Sequence, residues 1–170
     1  MYRRNVCVVI FNEEVRFLGC QRIHEERYQF VQGGIEDWED DTLQAAYREV
    51  EEEIGLLQED LHFVGEILPP SGDPREFRYT LHQSSNLRRF GYVGQEQRLM
   101  LFFTTSNSIK KVRLIPPKET RALQEFSCVK WMTIENIIER CPREKRHIFV
   151  AVAKLAPPLA KAFLQKRSAL

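Results

Sequence analysis

Between Thr42 and Ile54, apolar residues recur at Leu43, Ala46, Tyr47, Val50 and Ile54, the spacing of one face of an α-helix. Asp40, Asp41 and Thr42 are residue types that cap a helix start, and Gly55 stands where a helix commonly ends in a left-handed residue. Residues three and four apart share a helix face, so Glu49, Glu52 and Glu53 project together while Val50 and Ile54 point toward a core. Just upstream, Tyr28-Gln29-Phe30-Val31-Gln32 reads as a strand ended by Gly33-Gly34, a pair that marks a tight turn or a close approach of the backbone to something else. A strand, a glycine turn and a capped helix with three gathered carboxylates therefore set the frame for the rest of the chain.

Around that unit the sequence reads as α+β with a mixed sheet. Asn5 to Phe11 is a nearly continuous β-branched and apolar run, as a central strand would be, and Asn12-Glu13-Glu14 turns it into a second strand over Val15 to Arg22. Further strands are expected at Leu61 to Leu68, Phe77 to Leu81, Arg98 to Thr104, Val112 to Ile115 and Ser127 to Met132. Helices are expected at Thr133 to Arg140 and Arg143 to Leu155, with Pro157-Pro158 interrupting the last. The 170 residues suit one domain, residues 1–170, ending in a basic tail over 157–170 that either continues as a short amphipathic helix or frays.

Composition excludes more than it assigns. Lys and Arg number 25 against 24 Asp and Glu, so any attraction for phosphates must come from the placement of charges rather than their sum. Cys7, Cys20, Cys128 and Cys141 are scattered without CxxC spacing, which argues for reduced core thiols over a disulfide framework or a zinc site. No apolar signal core opens the chain, and no window reads as a membrane span, so a cytoplasmic protein without a membrane partner is expected.

The clustered carboxylates carry the chemistry. Like charges this close raise one another's pKa and weaken the helix, and a divalent cation removes that penalty. Mg2+ prefers carboxylate oxygens and binds phosphates, so an acidic cluster beside a glycine turn suits a pyrophosphate site. A solvated helix face looks the same, and the spacing alone leaves both readings open.

The wider pattern is more specific. Arg48-Glu49-Val50-Glu51-Glu52-Glu53-Ile54-Gly55-Leu56 resembles, position for position, the second half of the Nudix box. Upstream the match departs from the family. Counting back from Arg48 places the box acid on Asp40 and the box glycine on Gly34. Counting forward from Gly33 places the acid on Glu39 and makes the spacer one residue too long. The resemblance implies a Nudix fold, a mixed sheet sandwiched between helices, in which Glu39 or Asp40 meets Arg48. It also implies Mg2+, with Mn2+ as a substitute, held by Glu49, Glu52, Glu53, Glu125 and the Gly33 carbonyl. Catalysis would then fall to Glu53, Glu52, Glu125 and Arg48.

The resemblance runs along most of the chain and is similar to bacterial RNA pyrophosphohydrolases and the related dinucleoside polyphosphate hydrolases. It rests on Tyr2-Arg3-Arg4-Asn5-Val6, with Arg4 where the family has Pro, on Tyr28 to Ile35, on Gly94-Gln95-Glu96-Gln97-Arg98, on Glu125-Phe126 with Lys130-Trp131, and on Lys145-Arg146. By that likeness Arg3, Arg22, Tyr79, Gln95, Arg98 and Lys145 are substrate-binding candidates, although Thr80 departs from the family's residue after Tyr79 and Pro69 to Pro74 lengthens the preceding connection. The implied partner is a nucleotide polyphosphate or an RNA 5' end rather than DNA. The implied activity is removal of pyrophosphate from triphosphorylated RNA, with diadenosine tetraphosphate hydrolysis and a non-enzymatic nucleotide sensor as alternatives. Oligomeric state is not legible, and a monomer is the default expectation.

Overall fold

A computed structural model describes residues 1–169. Eight strands form one sheet: β1 (Tyr2–Phe11), β2 (Phe17–Arg22), β3 (Tyr28–Gln29), β4 (Val31–Gly34), β5 (His62–Ile67), β6 (Arg78–Thr80), β7 (Gly94–Phe103) and β8 (Phe126–Met132). Three α-helices flank it: α1 (Thr42–Ile54), α2 (Ile134–Arg140) and α3 (Arg146–Ser168). β1 and β7 run parallel at the centre, Tyr2 facing Gly94 and Phe11 facing Phe103, and every other pairing is antiparallel.

The near-continuous apolar character of β1 follows from its position, because both of its faces are covered. Cys7, Val9 and Phe11 pack toward α2 and α3 with Phe30, Leu99, Leu101 and Phe149; Val6, Val8 and Ile10 pack toward α1 with Ala46, Val50 and Ile54. Phe30 and Phe149 stack with ring centroids 4.8 Å apart. Truncating either to Ala would cost about 3–5 kcal/mol.

The sheet divides where it matters for the site. One edge of β1 pairs with β4 through residues Asn5 to Val8 and with β2 only at Phe11 and Phe17. The expected strand over Tyr28 to Gln32 is therefore split: β3 stays on β2, the chain crosses at buried Phe30, and β4 joins β1. A cleft opens between β4 and the ends of β2 and β8.

α1 has the bounds its periodicity predicts. The Asp41 carboxylate accepts from the Gln44 backbone at 2.7 Å, and Gly55, with φ of 75°, donates its N–H to the Val50 and Glu51 carbonyls. The expected strand over Val112 to Ile115 does not form. Instead Arg113 donates its backbone N–H to the Ile54 carbonyl at 2.8 Å, which closes the end of α1. β7 begins at Gly94, four residues before the start at Arg98 that the sequence predicts.

Pro157 and Pro158 do not interrupt α3, which continues through them to Ser168, so the basic tail is helical over most of its length. The two prolines give up the i→i−4 bonds that would reach Ala153 and Lys154. Ala156 and Ala160, fully buried on the sheet, hold the helix on course across that gap. By length and composition the stretch Arg143–Ser168 is apolar enough to cross a membrane, contrary to the expectation that no window would be. Here Ile148, Phe149, Val152, Ala156 and Ala160 are committed to the core.

Candidate active site

The glycine turn and the acidic helix meet at β4. A Cβ at Gly33 would coincide with the Glu49 carboxyl group, and one at Gly34 with the Arg3 guanidinium, so only glycine allows the two side chains to lie against this strand. Glu49 is 8% exposed, and Arg48 Nη1 donates to its Oε1 at 2.8 Å. Burial raises the Glu49 pKa above the usual carboxylate range, Arg48 opposes this, and Glu52 adds to it. Glu53, one turn further along α1, has its carboxyl pushed well up by burial and then by the charges of Glu49 and Glu125. Its Oε2 is buried with no hydrogen-bond partner. Glu52 is mostly exposed and reaches Arg48 Nη1 at 3.3 Å.

Arg48 braces the loop against the helix. Its Nε and Nη2 donate to the two oxygens of Glu39 at 3.0 and 2.9 Å, and Nη2 also reaches the Gly34 carbonyl at 2.8 Å. The Glu36 backbone N–H donates to Glu39 Oε1 at 2.8 Å. Burial alone would raise the Glu39 pKa, but these hydrogen bonds and the Arg48 charge outweigh it and hold the carboxyl below its usual value. Of the two acids the sequence offered, Glu39 is the partner. Asp40 instead donates its backbone N–H to Gln44 Oε1.

Across the cleft, Arg22 Nη2 meets Glu125 Oε2 at 3.3 Å, and both side chains are about half exposed. Lys145 is buried, donates to Gln29 Oε1 at 2.9 Å and lies 4.8 Å from the centroid of the Tyr79 ring. Burial pushes its pKa down to about 8, with Arg22 contributing, although Glu144 and Glu53 oppose the shift. Glu49, Glu53, Glu125, Arg22, Lys145 and Tyr79 are thus close enough for their charges to act on one another, and Arg3 lies against Gly34 of β4.

Two predicted binding residues have other partners. Gln95 is buried, with both ends of its amide bonded inside the protein. Arg98 pairs with Glu66 and donates to Thr42 Oγ1 at the start of α1. Asn5, Gln29 and Gln32 are polar residues inside apolar strands: Gln29 accepts from Lys145, and Asn5 donates to Gln32 and Gln95.

This strand, glycine turn and braced acidic helix lie within residues 1–152, which match the NUDIX domain. The chain belongs to the Nudix family. It is a hydrolase of phosphorus-containing anhydrides, and the family generally uses divalent metal ions. RNA pyrophosphohydrolase from Legionella pneumophila is 28% identical over 160 residues, covering 94% of this chain and 86% of the relative. Nudix hydrolase 27, chloroplastic, from Arabidopsis thaliana is 30% identical over 159 residues, covering 92% and 66%. Among solved structures, an Ap4A hydrolase binary complex from C. elegans superposes with a TM-score of 0.58 at 17% identity, over 89% of this chain and 96% of that one. The last likeness is one of fold.

The Nudix carboxylates fit a divalent cation. A buried carboxylate oxygen without a partner, beside a second carboxylate that it repels, is relieved either by a proton, as the raised Glu53 pKa shows, or by a divalent cation that allows both groups to ionise. Among the described residues the acids form no closed ligand cluster, and Arg48 pairs with both Glu49 and Glu52.

Proposed function

We propose that the chain is a Mg2+-dependent pyrophosphohydrolase acting on the 5' triphosphate end of RNA. The observation that carries the chemistry is the unpartnered Glu53 Oε2 next to Glu49 against Gly33. The choice of RNA rests on end-to-end similarity to relatives named RNA pyrophosphohydrolase.

Glu49, Glu53 and the Gly33 carbonyl would hold Mg2+, with Glu52 joining once it leaves Arg48. When bound, the ion neutralises phosphate charge and lowers the pKa of water. The protein's own groups do the rest. Arg3 and Arg22 flank the cleft with fixed positive charge, and Lys145 adds a charge below its pKa of about 8; together they orient the phosphates and stabilise the leaving pyrophosphate. Glu125 accepts the proton of the attacking water: it sits at the open side of the cleft, Arg22 orients it, and its charge already reaches Glu53. Arg48 and Glu39 keep the loop and the helix in register.

The test is to incubate the protein with Mg2+ and, separately, triphosphorylated RNA, diadenosine tetraphosphate, nucleoside triphosphates and ADP-ribose, and to compare kcat/KM. RNA should lead. Preference for the dinucleotide would replace RNA as the substrate, and inertness toward all four with Mg2+ and Mn2+ would overturn the proposal. Glu125→Gln should lose turnover and keep Mg2+ binding, whereas Glu53→Gln should lose both.

A further inference from the structure

On the α3 side of the sheet, four strands contribute side chains that bond end to end. Gln97 Nε2 donates to Asn5 Oδ1 at 2.9 Å. Asn5 Nδ2 donates to Gln32 Oε1 at 2.8 Å and to Gln95 Oε1 at 2.9 Å, and Gln95 Nε2 donates to the Tyr79 hydroxyl oxygen. Asn5, Gln95 and Gln97 are 1%, 4% and 3% exposed, so water does not compete for these groups.

An amide has a donor end and an acceptor end, so the direction of one link sets the next. The chain starts at Gln97 Oε1, which is buried without a partner, and ends at a Tyr79 oxygen that is already accepting. The Tyr79 proton is left to donate, and among the described residues nothing accepts it. Reversing every link would strand a buried N–H2 at Gln97 and turn the Tyr79 proton inward onto Gln95. Orphaned N–H groups are rarer in proteins than under-satisfied carbonyls, which favours the direction observed. The Lys145 ammonium lies over the Tyr79 ring, 4.8 Å from its centroid, and favours an anionic oxygen as that acceptor; the Arg22 charge acts the same way on the hydroxyl, against the charge of Glu144.

We propose that Asn5 and Gln95 are positioning residues whose amide chain points the Tyr79 hydroxyl outward as a hydrogen-bond donor to a phosphate oxygen of the substrate. The assignment rests on the polyphosphate reading above. Neither amide touches the substrate. Each acts through Tyr79, and Asn5 also steadies Gln32 beside Gly33.

The test is a double-mutant cycle. In Gln95→Glu the carboxylate can only accept, so it keeps the bond from Asn5 and draws the Tyr79 proton inward. Tyr79→Phe should lower kcat/KM on a triphosphorylated oligonucleotide roughly tenfold in the wild-type background, the worth of one hydrogen bond to a charged group. In the Gln95→Glu background it should cost less than about twofold, because the donor is already turned away. The charge that this substitution adds is present on both arms of that comparison and cancels. Equal losses in the two backgrounds would overturn the proposal. If Gln95→Glu does not fold, Asn5→Asp, which forces Gln95 to turn around, carries the same expectation. The cycle is also read on the Kd of inorganic tripolyphosphate with Mg2+. A protein inert toward RNA, which would sink the proposed function, therefore still gives a coupled or an uncoupled result here.

Discussion

Replacing Glu39 by Gln keeps the shape of the side chain and removes one partner of a buried ion pair. The Glu39 side chain is 0% exposed and that of Arg48 19%, and two bonds of 2.9 and 3.0 Å join them. Removing one partner of a buried pair costs about 3–5 kcal/mol. Arg48 would keep the Gly34 carbonyl, Glu49 and Glu52, which places the loss at the lower end, about 3 kcal/mol. For a chain of this size, each kcal/mol moves Tm by roughly 2–4 °C, so Glu39→Gln should melt roughly 6–12 °C below wild type. Asp40→Asn should stay within about 0.5 kcal/mol, as surface changes do. The folded-state pKa of Glu39 is depressed, so its stabilisation is present above the ordinary carboxylate value of 4.5 and is lost as pH falls through the folded value. Urea unfolding at pH 7 and at a series of lower pH values should show wild type and Glu39→Gln converging in acid. If Glu39→Gln matches wild type at pH 7, or Asp40→Asn costs more, the brace has been misassigned.

Three further outcomes follow from the same geometry. In EDTA at pH 8, Glu53→Gln should melt above wild type, because the raised folded pKa of Glu53 means that stability drains away as pH rises through it. Mg2+ should raise the wild-type Tm and barely move the variant, read by differential scanning fluorimetry. With its pKa near 8, Lys145 loses its charge as pH climbs past that value, so KM for the polyphosphate should rise above pH 8 in wild type and be high and flat with pH in Lys145→Met, measured by initial rates. Pro158→Ala, at an exposed position inside α3, restores a backbone donor and should stabilise by roughly 1–2 kcal/mol in urea melts; a loss of stability would mean that the proline serves the packing.

Local physics made α1 legible in the sequence, and non-local physics hid the rest. Asp41, the apolar spacing and Gly55 are each sufficient signals within one turn, so the helix bounds and the shared face of its glutamates could be read without a fold. The partner of Arg48 could not, because counting from either end of the loop gives a different acid, Glu39 or Asp40; the bidentate bond to Glu39 decides between them. The start of β7 was missed because Gln95 and Gln97 are polar yet buried, satisfied by an asparagine on a strand far away in sequence. Val112 to Ile115 has the composition of a strand but pairs with none, and Arg113 is bonded instead to the end of α1. Pro157-Pro158 looks like a stop signal, but alanines buried on the sheet hold the helix through it.

The parallel pairing of β1 with β7 has a consequence for how the molecule is made. Tyr2 must wait for Gly94, and Phe11 for Phe103, before the central ladder can close. Until then the run Val6 to Phe11 is an apolar, β-prone segment with one edge bare, the kind that recruits other chains. β4 and the tip of β2 can cover the opposite edge earlier, since both follow β1 closely in the chain. Arg3 on β1 and Lys145 just before α3 can likewise come together only after the residues between them have been made. Slowing synthesis before residue 103 should show up as aggregation rather than as a less active enzyme.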